Sequence, residues 1–336
     1  MKISMFEMNE FRKERIRFHL KDELREKLKM DIRCSESILS LENVDEYKDS
    51  EIIVVFVNSN LNAELLSKFK NLKLIATAST GYDHIDFDYC KKKGIKVANV
   101  PSYGSRTVSE FAFAMILAFY RKIKKLCEKS TLEDLMGLDL NGKTIGVIGT
   151  GKIGKNMIKI AKGFSMNVLA FDYYPDETYA NQFEFSYVDM DTLLQKSDIV
   201  SLHLPLTKST HHLINEEKIS RMKKDALIVN VSRGGIIDTD ALYKALVNEK
   251  IMGACLDVLE QEKNVFLENK KEIDFNPKKY NQLKIDLENN LLYKLDNVII
   301  APHSAFNTKE ALYRILDTTI LNIINFIQEK EIYEVK

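Results

Sequence analysis

The sequence has few of the residues that cross-link chains or interrupt secondary structure. Its 336 residues include no tryptophan, four cysteines, five prolines and 13 glycines. The cysteines form no Cys-x-x-Cys pair, which argues against a disulfide framework and predicts reduced core thiols in a cytosolic protein. They are Cys34, Cys90, Cys127 and Cys255. No His-x-x-x-His and no cluster of cysteine and histidine is present, so we predict no metal site.

The sequence also lacks an excess of either charge and any long apolar run. Lys plus Arg and Asp plus Glu both number 49, which gives a formal net charge of zero and does not favour a nucleic-acid or anionic-membrane partner. The most apolar run, Phe111–Tyr120, is too short to span a membrane. Residues Met1–Glu7 contain no apolar region of a signal peptide. We therefore expect a cytoplasmic protein without a membrane or nucleic-acid partner.

The chain is long enough for two domains, and its hydrophobic content of 45% supplies sizeable cores. Short apolar runs such as Glu51–Val57 and Leu72–Ala78 alternate with amphipathic segments, a pattern that predicts an α/β fold with parallel sheets. Thr107–Lys125 is predicted to be a long helix that is apolar on several faces. Such a helix must be covered on more than one side, by the domains that it joins or by a second subunit.

Three of the few glycines lie within six residues. The apolar run Lys143–Ile148 leads into Gly149-Thr150-Gly151-Lys152-Ile153-Gly154, and a helical stretch follows from Lys155 to Gly163. A second apolar run, Val168–Phe171, ends at Asp172. A G-x-G-x-x-G pattern alone is a weak signal, but strand, helix, second strand and an acid about 20 residues later together predict a dinucleotide site.

Each position of this pattern has a physical role. Gly149 allows a tight turn, Gly151 lets the backbone approach a pyrophosphate, and Gly154 lets helix and strand pack closely. The amides and dipole at the start of the helix favour the phosphate charge. Asp172 would accept hydrogen bonds from the adenosine ribose and repel a 2′-phosphate. The sequence therefore predicts NAD as the cofactor, in preference to NADP.

Three side chains suited to acid–base chemistry follow predicted strands. Arg233 follows Val231-Ser232, Glu262 ends the stretch from Leu256, and His303 follows Ala301-Pro302. Ligands of open α/β sheets bind beyond the carboxyl ends of the strands. An arginine can hold a carboxylate bidentately, a histidine can transfer a proton, and a glutamate can keep that histidine protonated. Each residue alone is more often structural or solvated, but together beside a dinucleotide motif they indicate hydride transfer between a 2-keto acid and NADH.

The remaining polar residues are weaker candidates. Ser232 and Ser304 have no nucleophile-elbow context, which disfavours hydrolase chemistry. His203 sits at a predicted strand end, where it either lines the cofactor cleft or belongs to the core. His211 and His212 precede a helix start, and His19 is expected on a solvated helix face.

With these motifs in hand, the sequence resembles the D-isomer-specific 2-hydroxyacid dehydrogenases, and within them the D-lactate dehydrogenase branch, over nearly its whole length. The resemblance lies chiefly in Gly149–Gly154 with Asp172, Asn230–Gly234, Leu256–Glu262 and Pro302–Ala305.

The resemblance implies roles for individual residues. It makes Arg233, Glu262 and His303 the catalytic trio and implies that the Thr80 and Gly81 amides hold the substrate carboxylate, with Tyr103 nearby. Beyond the three glycines, it implies cofactor contacts from Lys152, Ile153, Asp172, Leu204, Pro205, Thr210, Val231, Ser232 and Asp257.

The resemblance also implies an architecture. Two Rossmann-like, doubly wound parallel-sheet domains are expected. A flavodoxin-like substrate domain would comprise residues 1–100 and 306–336, and an NAD-binding domain would comprise residues 101–305. The latter would include the crossover helix 107–125 and an exposed insertion at 263–296. A homodimer joined through the NAD-binding domains is expected.

Several departures from the lactate branch leave the exact acid open. The stretch Gly104-Ser105-Arg106 lacks the proline common there, Phe306 is followed by Asn307, and Lys263 follows Glu262. The prediction is reduction of pyruvate to D-lactate with NADH. The alternatives are another D-2-hydroxy acid, namely glycerate or glyoxylate or 2-hydroxyisocaproate, or a non-catalytic NAD-sensing protein of the same fold.

Overall fold

A computed structural model describes residues 1–127, 131–261 and 277–335, without the side chains of residues 127 and 277–283. The chain divides into two compact units. The first comprises Met1–Tyr103 and Thr308–Lys336, and the second comprises Gly104–Asn307. The substrate role of the first unit stays a prediction.

The first unit contains a five-stranded parallel sheet in the order β2-β1-β3-β4-β5. This is the doubly wound order of flavodoxin-like folds. The central strands are runs of β-branched and aliphatic residues that are buried on both faces, as parallel sheets require. The strands are β1 (Lys2–Met5), β2 (Asp31–Cys34), β3 (Ile52–Val55), β4 (Leu74–Thr77) and β5 (Lys96–Ala98).

The helices of the first unit are α1 (Glu10–His19), α2 (Asp22–Lys27), α3 (Ala63–Leu66), α4 (Phe87–Lys93) and the C-terminal α12 (Lys309–Ile327). In α1, Arg15 makes a bidentate ion pair with Asp317 of α12, with N···O distances of 2.7 and 2.6 Å. His19, which is half-buried, lies 2.8 Å from the same carboxylate, so its face of α1 is partly covered by α12. These contacts tie the C-terminal helix to the N-terminal one.

The second unit contains a seven-stranded parallel sheet in the order β12-β11-β10-β9-β6-β7-β8. Its strands are β6 (Thr144–Ile148), β7 (Asn167–Phe171), β8 (Ser186–Tyr187), β9 (Ile199–Leu202), β10 (Leu227–Asn230), β11 (Gly253–Leu256) and β12 (Val298–Ile300). The strand order reverses between β6 and β9, which makes the carboxyl ends of these two strands the switch point where ligands of such sheets bind. The prediction of two doubly wound parallel-sheet domains is confirmed.

The helices of the second unit are α5 (Ser105–Tyr120), α6 (Lys152–Gly163), α7 (Glu177–Phe183), α8 (Met190–Lys196), α9 (Glu216–Ser220), α10 (Thr239–Val247) and α11 (Pro277–Leu292). The predicted helix 107–125 starts two residues earlier and ends at Tyr120, because Lys122 adopts a φ of +50°. A short 3₁₀ helix follows at Ile123–Cys127. The apolar residues of α5, such as Phe113 and Ile116, pack into the core that β6 and α6 share.

Two further expectations need correction. The predicted exposed insertion 263–296 contains helix α11, whose residues Asn289 and Leu292 are buried, while residues 262–276 lie outside the described part of the chain. Cys34 is exposed, whereas Cys90 and Cys255 are buried as expected; the side chain of Cys127 is not described.

Within residues 1–127, 131–261 and 277–335, no helix combines the length and the apolar character needed to cross a membrane.

Candidate active site

The turn between β6 and α6 has the shape that a pyrophosphate requires. Gly149 has a φ of +94°, and a Cβ built on it would lie 2.5 Å from the carbonyl oxygen of His203. A Cβ on Gly154 would lie 1.9 Å from the carbonyl oxygen of Gly149, so α6 packs directly on the turn. Nothing lies within 4 Å of a Cβ built on Gly151. The backbone at Gly151 is therefore open to a ligand, and no side chain caps the helix that starts there.

Asp172 lies at the carboxyl end of β7 beside this turn. One carboxylate oxygen accepts hydrogen bonds from the Thr150 amide at 2.6 Å and from its hydroxyl at 3.0 Å, and the other accepts one from the Tyr174 amide at 2.9 Å. Burial opposes ionisation most strongly, but the hydrogen bonds from Tyr174 and Thr150 together outweigh it, so the pKa of Asp172 lies below its usual value. Asp172 is therefore an anion at neutral pH, placed where the second strand of a dinucleotide unit ends.

His203 follows β9 and closes the other side of the turn. Its Nε2 lies 2.9 Å from the Ser201 hydroxyl, and its Nδ1 is buried without a hydrogen-bond partner among the described residues. Burial lowers the pKa of His203 to about 3. The imidazole is therefore neutral and buried, and the backbone carbonyl of His203 contacts the glycine turn at Gly149.

The other predicted cofactor residues of this sheet edge form compact turns. The Thr210 hydroxyl donates to the Pro205 carbonyl at 2.6 Å, which folds the loop after Leu204 back on itself. The Ser232 hydroxyl donates to the Leu202 carbonyl at 2.6 Å, so the loop after β10 is tied to the end of β9. Lys152 is exposed, Ile153 half-buried and Val231 buried. The turns after β6, β9 and β10 therefore lie side by side.

Arg233 is positioned by a buried asparagine that ends β10. The Asn230 side-chain amide donates to the Arg233 carbonyl at 2.9 Å, and its oxygen accepts from the Ser232 amide at 3.0 Å. A Cβ on Gly234 would lie 2.0 Å from the carbonyl carbon of Leu259, so only glycine allows this turn to touch the loop after β11. Arg233 is half-buried at the sheet edge.

His303 is held by Asp257 of the neighbouring strand end. The His303 amide donates to the Asp257 carbonyl at 2.8 Å. The Asp257 carboxylate, 1% exposed, accepts from the Ser304 amide at 2.8 Å and from the Ala305 amide at 3.1 Å. His303 itself has a φ of +51°, a conformation that non-glycine residues seldom adopt outside over-determined sites. Sequence reasoning made Asp257 a cofactor contact and missed this supporting role.

One series of backbone and side-chain hydrogen bonds brings the two described members of the trio to the same edge. Asp257 donates its amide to the Asn230 carbonyl at 2.9 Å, and Asn230 and Asp257 in turn hold Arg233 and His303. Glu262, five residues after Asp257, lies outside the described residues, so its role stays a prediction.

The predicted substrate residues Thr80, Gly81 and Tyr103 belong to the first unit. The Thr80 hydroxyl donates to the Val100 carbonyl at 2.7 Å, and the Thr80 carbonyl accepts from the Asn99 side chain at 2.8 Å. Among the described residues, neither the Thr80 amide nor the Gly81 amide donates a hydrogen bond. Two adjacent amides of this kind can bind an anion. The Tyr103 carbonyl accepts from the Arg314 Nε at 2.7 Å.

The glycine turn can receive a pyrophosphate at the switch point of a parallel sheet. An arginine and a histidine lie at the same edge. Together these features define the chain as an NAD-dependent oxidoreductase. The model of the family "D-isomer specific 2-hydroxyacid dehydrogenase, NAD binding domain" matches residues 113–305. The chain belongs to this family, whose members act on the CH–OH group of D-2-hydroxy acids. The predictions of the family, of an enzyme and of NAD as its cofactor are confirmed.

Individual relatives support this assignment. The D-lactate dehydrogenase of Escherichia coli is 39% identical over 282 residues, 82% of this chain and 83% of that one. A glyoxylate reductase of Korarchaeum cryptofilum is 35% identical over 293 residues, 84% of this chain and 81% of that one. The D-lactate dehydrogenase of Aquifex aeolicus, solved with NAD and lactic acid, superposes with a TM-score of 0.79 at 37% identity and covers 97% of this chain and 96% of that one.

Proposed function

We propose that the protein is a D-lactate dehydrogenase that reduces pyruvate with NADH to D-lactate and NAD⁺. The observation that carries this proposal is the hydrogen-bonded series through Asn230 and Asp257, which holds Arg233 and His303 at one edge of the sheet. That edge also carries the glycine turn of the cofactor. A carboxylate-binding group, a proton donor and a cofactor site are what reduction of a 2-keto acid needs.

In the proposed mechanism, the Arg233 guanidinium binds the substrate carboxylate with two parallel hydrogen bonds. Bound NADH supplies the hydride that C2 of pyruvate receives. The protonated imidazole of His303 donates its proton to the keto oxygen as the C=O double bond becomes a single bond. Glu262 keeps that imidazole protonated before the reaction by favouring its charged form. His303 ends the cycle neutral and takes up a proton from solvent.

The substrate is proposed to be small and the product D-configured. The Phe306 ring lies 6.4 Å from the His303 ring, centroid to centroid, and is proposed to limit the length of the substrate side chain together with Tyr103. Binding of the carboxylate by the Thr80 and Gly81 amides belongs to the same proposal. The D assignment is supported by family membership.

Kinetics over a series of 2-keto acids tests this proposal. We expect kcat/KM with NADH to be highest for pyruvate and to fall as the side chain grows past a few carbons, with D-lactate as the product in chiral analysis. A kcat/KM that is higher for glyoxylate than for pyruvate would favour the glyoxylate reductase alternative. A kcat/KM that is higher for 2-ketoisocaproate than for pyruvate would mean a larger substrate pocket. L-lactate as product, or no turnover of any keto acid, would contradict the proposal.

A cytoplasmic homodimer completes the proposal. Five apolar side chains between residues 123 and 138 of the second unit are exposed, namely Ile123, Leu126, Leu132, Met136 and Leu138. An exposed apolar patch of this kind is typical of a protein–protein interface. The free, buried thiols of Cys90 and Cys255 support a reducing compartment.

A further inference from the structure

Two adjacent histidines and a glutamate meet beside the turn that follows Arg233. His212 Nε2 lies 3.0 Å from Glu260 Oε1, and His211 Nε2 lies 3.9 Å from the same oxygen. One potential ligand atom from each of the three residues lies within 4.8 Å of the others. The histidines belong to the loop after β9 and the glutamate to the loop after β11, so the cluster spans the end of β10.

An unusual backbone conformation turns both imidazoles to the same side. Successive side chains of an extended chain point in opposite directions, but His212 has a φ of +50°. As a result the two rings stack with their centroids 3.9 Å apart and an interplanar angle of 25°. The His212 amide donates to the Gly235 carbonyl at 2.8 Å, which anchors this conformation to the turn after Arg233.

Neighbouring groups orient the carboxylate and place a second acid near one imidazole. The Thr239 hydroxyl donates to Glu260 Oε2 at 2.8 Å, which leaves Oε1 directed at the histidines. The Asn289 side-chain amide donates to the Glu260 carbonyl at 2.8 Å. Asp238 Oδ2 lies 3.8 Å from His212 Nδ1, the ring nitrogen that faces away from Glu260. The hydroxyl bonded to the carboxylate is an outer contact of the kind that orients metal ligands in proteins. Asp238 lies beyond hydrogen-bond distance of the imidazole and acts on it only through its charge.

We propose that His211, His212 and Glu260 bind one transition-metal dication of the zinc type, with water completing its coordination. Two imidazoles and a carboxylate form a ligand set that Zn²⁺ accepts, whereas Mg²⁺ and Ca²⁺ prefer oxygen ligands alone. Zinc bonds to nitrogen and oxygen are about 2.0–2.2 Å long, so two ligand atoms on one ion lie at most about 4.4 Å apart. The distances of 3.0 and 3.9 Å from Glu260 fit this limit. The His211 side chain, 53% exposed, is free to rotate toward the ion.

The position of the site gives the ion a structural consequence. Gly234 packs on the backbone of Leu259 and Glu260, and the His212 amide donates a hydrogen bond to the Gly235 carbonyl. An ion held by both loops therefore restrains the turn that carries Arg233 from its two sides. Metal binding is independent of the proposed D-lactate activity, because none of its three ligands belongs to the proposed cofactor or substrate contacts.

Isothermal titration calorimetry with ZnCl₂ tests the site. The test uses the Cys34→Ser protein, because the exposed Cys34 thiol is a competing zinc ligand. We expect one equivalent of Zn²⁺ to bind and the thermal unfolding midpoint to rise with zinc. His211→Ala in that background should weaken binding at least tenfold and abolish the thermal shift. Because His211 is exposed, this variant should fold, which circular dichroism checks.

Two further variants separate the cluster from nonspecific binding. Thr239→Val keeps the shape of the threonine and removes its hydrogen bond to Glu260, so we expect about 10–100-fold weaker zinc binding. His19→Ala removes a histidine of the first unit and should leave the affinity unchanged. The proposal is overturned if no saturable binding is found, if His211→Ala binds as tightly as its parent, or if Mg²⁺ binds as tightly as Zn²⁺.

Discussion

At the scale of single residues, the site depends on side chains that hold other side chains. Asp257 occupies a fully buried position in which its carboxylate accepts the amides of Ser304 and Ala305. The Asn230 side chain accepts a hydrogen bond from the Ser232 amide and donates one to the Arg233 carbonyl. The bonds to Asp257 offset the cost of the left-handed backbone at His303, so that the backbone that carries the imidazole is fixed at the sheet edge before any substrate binds.

Removing the His303 imidazole should stop the proton transfer without removing the cofactor site. We expect His303→Ala to lower kcat for pyruvate reduction by about 10²–10⁴, the range typical of a general acid. NADH affinity, measured by fluorescence titration, should change little. A variant that keeps its kcat would exclude His303 as the proton donor.

Glu262 can be tested through the same proton transfer. In Glu262→Gln, a neutral partner no longer favours the charged imidazole. We therefore expect the fall of the pyruvate reduction rate at high pH to begin at lower pH than in the unmodified protein. A pH–rate profile that keeps its position would separate Glu262 from His303.

The charge of Asp172 should decide between the two nicotinamide cofactors. The hydrogen bonds from Thr150 and Tyr174 keep Asp172 ionised, and a 2′-phosphate beside it would bring like charges together in a half-buried place. We expect a strong preference for NADH over NADPH in kcat/KM and a smaller preference in Asp172→Ala. Gln195→Ala, at an exposed position of α8, serves as a control. Equal efficiency with both cofactors in the unmodified protein would contradict this role.

At the scale of secondary structure, the unit β6–turn–α6 separates two roles of glycine. Gly154 is needed for packing, because a Cβ there meets the Gly149 carbonyl oxygen at 1.9 Å, whereas a Cβ on Gly151 meets nothing within 4 Å. We expect Gly154→Ala to lower the free energy of unfolding by about 1–3 kcal/mol and to weaken NADH binding. Gly151→Ala should keep its stability and lose affinity only.

Urea unfolding and fluorescence titration of both glycine variants measure these effects. A Gly151→Ala protein that binds NADH as tightly as the unmodified protein would show that no phosphate approaches that backbone. A Gly154→Ala protein of unchanged stability would contradict the tight packing of α6 on the turn.

The elements themselves were predicted better than their ends. The first helical segment is divided into α1 and α2, because the buried Leu20 leaves the helical conformation with ψ of +66°. The helix predicted to reach residue 125 ends at Tyr120 through the left-handed Lys122. Neither break carries a glycine or a proline that would mark it in the sequence. The sequence does not predict helix α11, because the segment is polar and weakly periodic. The helix is attached to the fold by contacts that include the buried Asn289 and Leu292 and an ion pair between Lys284 and Asp240 of α10.

At the scale of the whole molecule, the chain leaves the first compact unit at Tyr103 and returns to it at Thr308. The exposed apolar side chains of residues 123–138 lie in the second unit. We expect light scattering to give twice the mass of the 336-residue chain, and the double variant Leu132→Asp, Met136→Asp to give the mass of one chain. Leu132 is 90% exposed, so the folded monomer should tolerate the change.

A matched control for the dimer is Phe18→Asp, which alters an exposed apolar side chain of the first unit and should leave the dimer intact. If the unmodified protein runs as a monomer, or if the double variant remains dimeric, residues 123–138 are not the interface.

The sequence by itself determined the fold class, the cofactor and the family. Strand and helix periodicities, and a glycine pattern followed at a fixed distance by Asp172, are local properties that survive in a linear chain. Only the tertiary structure showed that Asn230 and Asp257 hold Arg233 and His303. It also showed that His212, 48 residues away in sequence, and the adjacent His211 face Glu260. These contacts join neighbouring strand ends that are distant in sequence. No local pattern encodes such pairs. The order of strands in the sheet sets which strand ends are neighbours, and the packing of the whole unit decides that order.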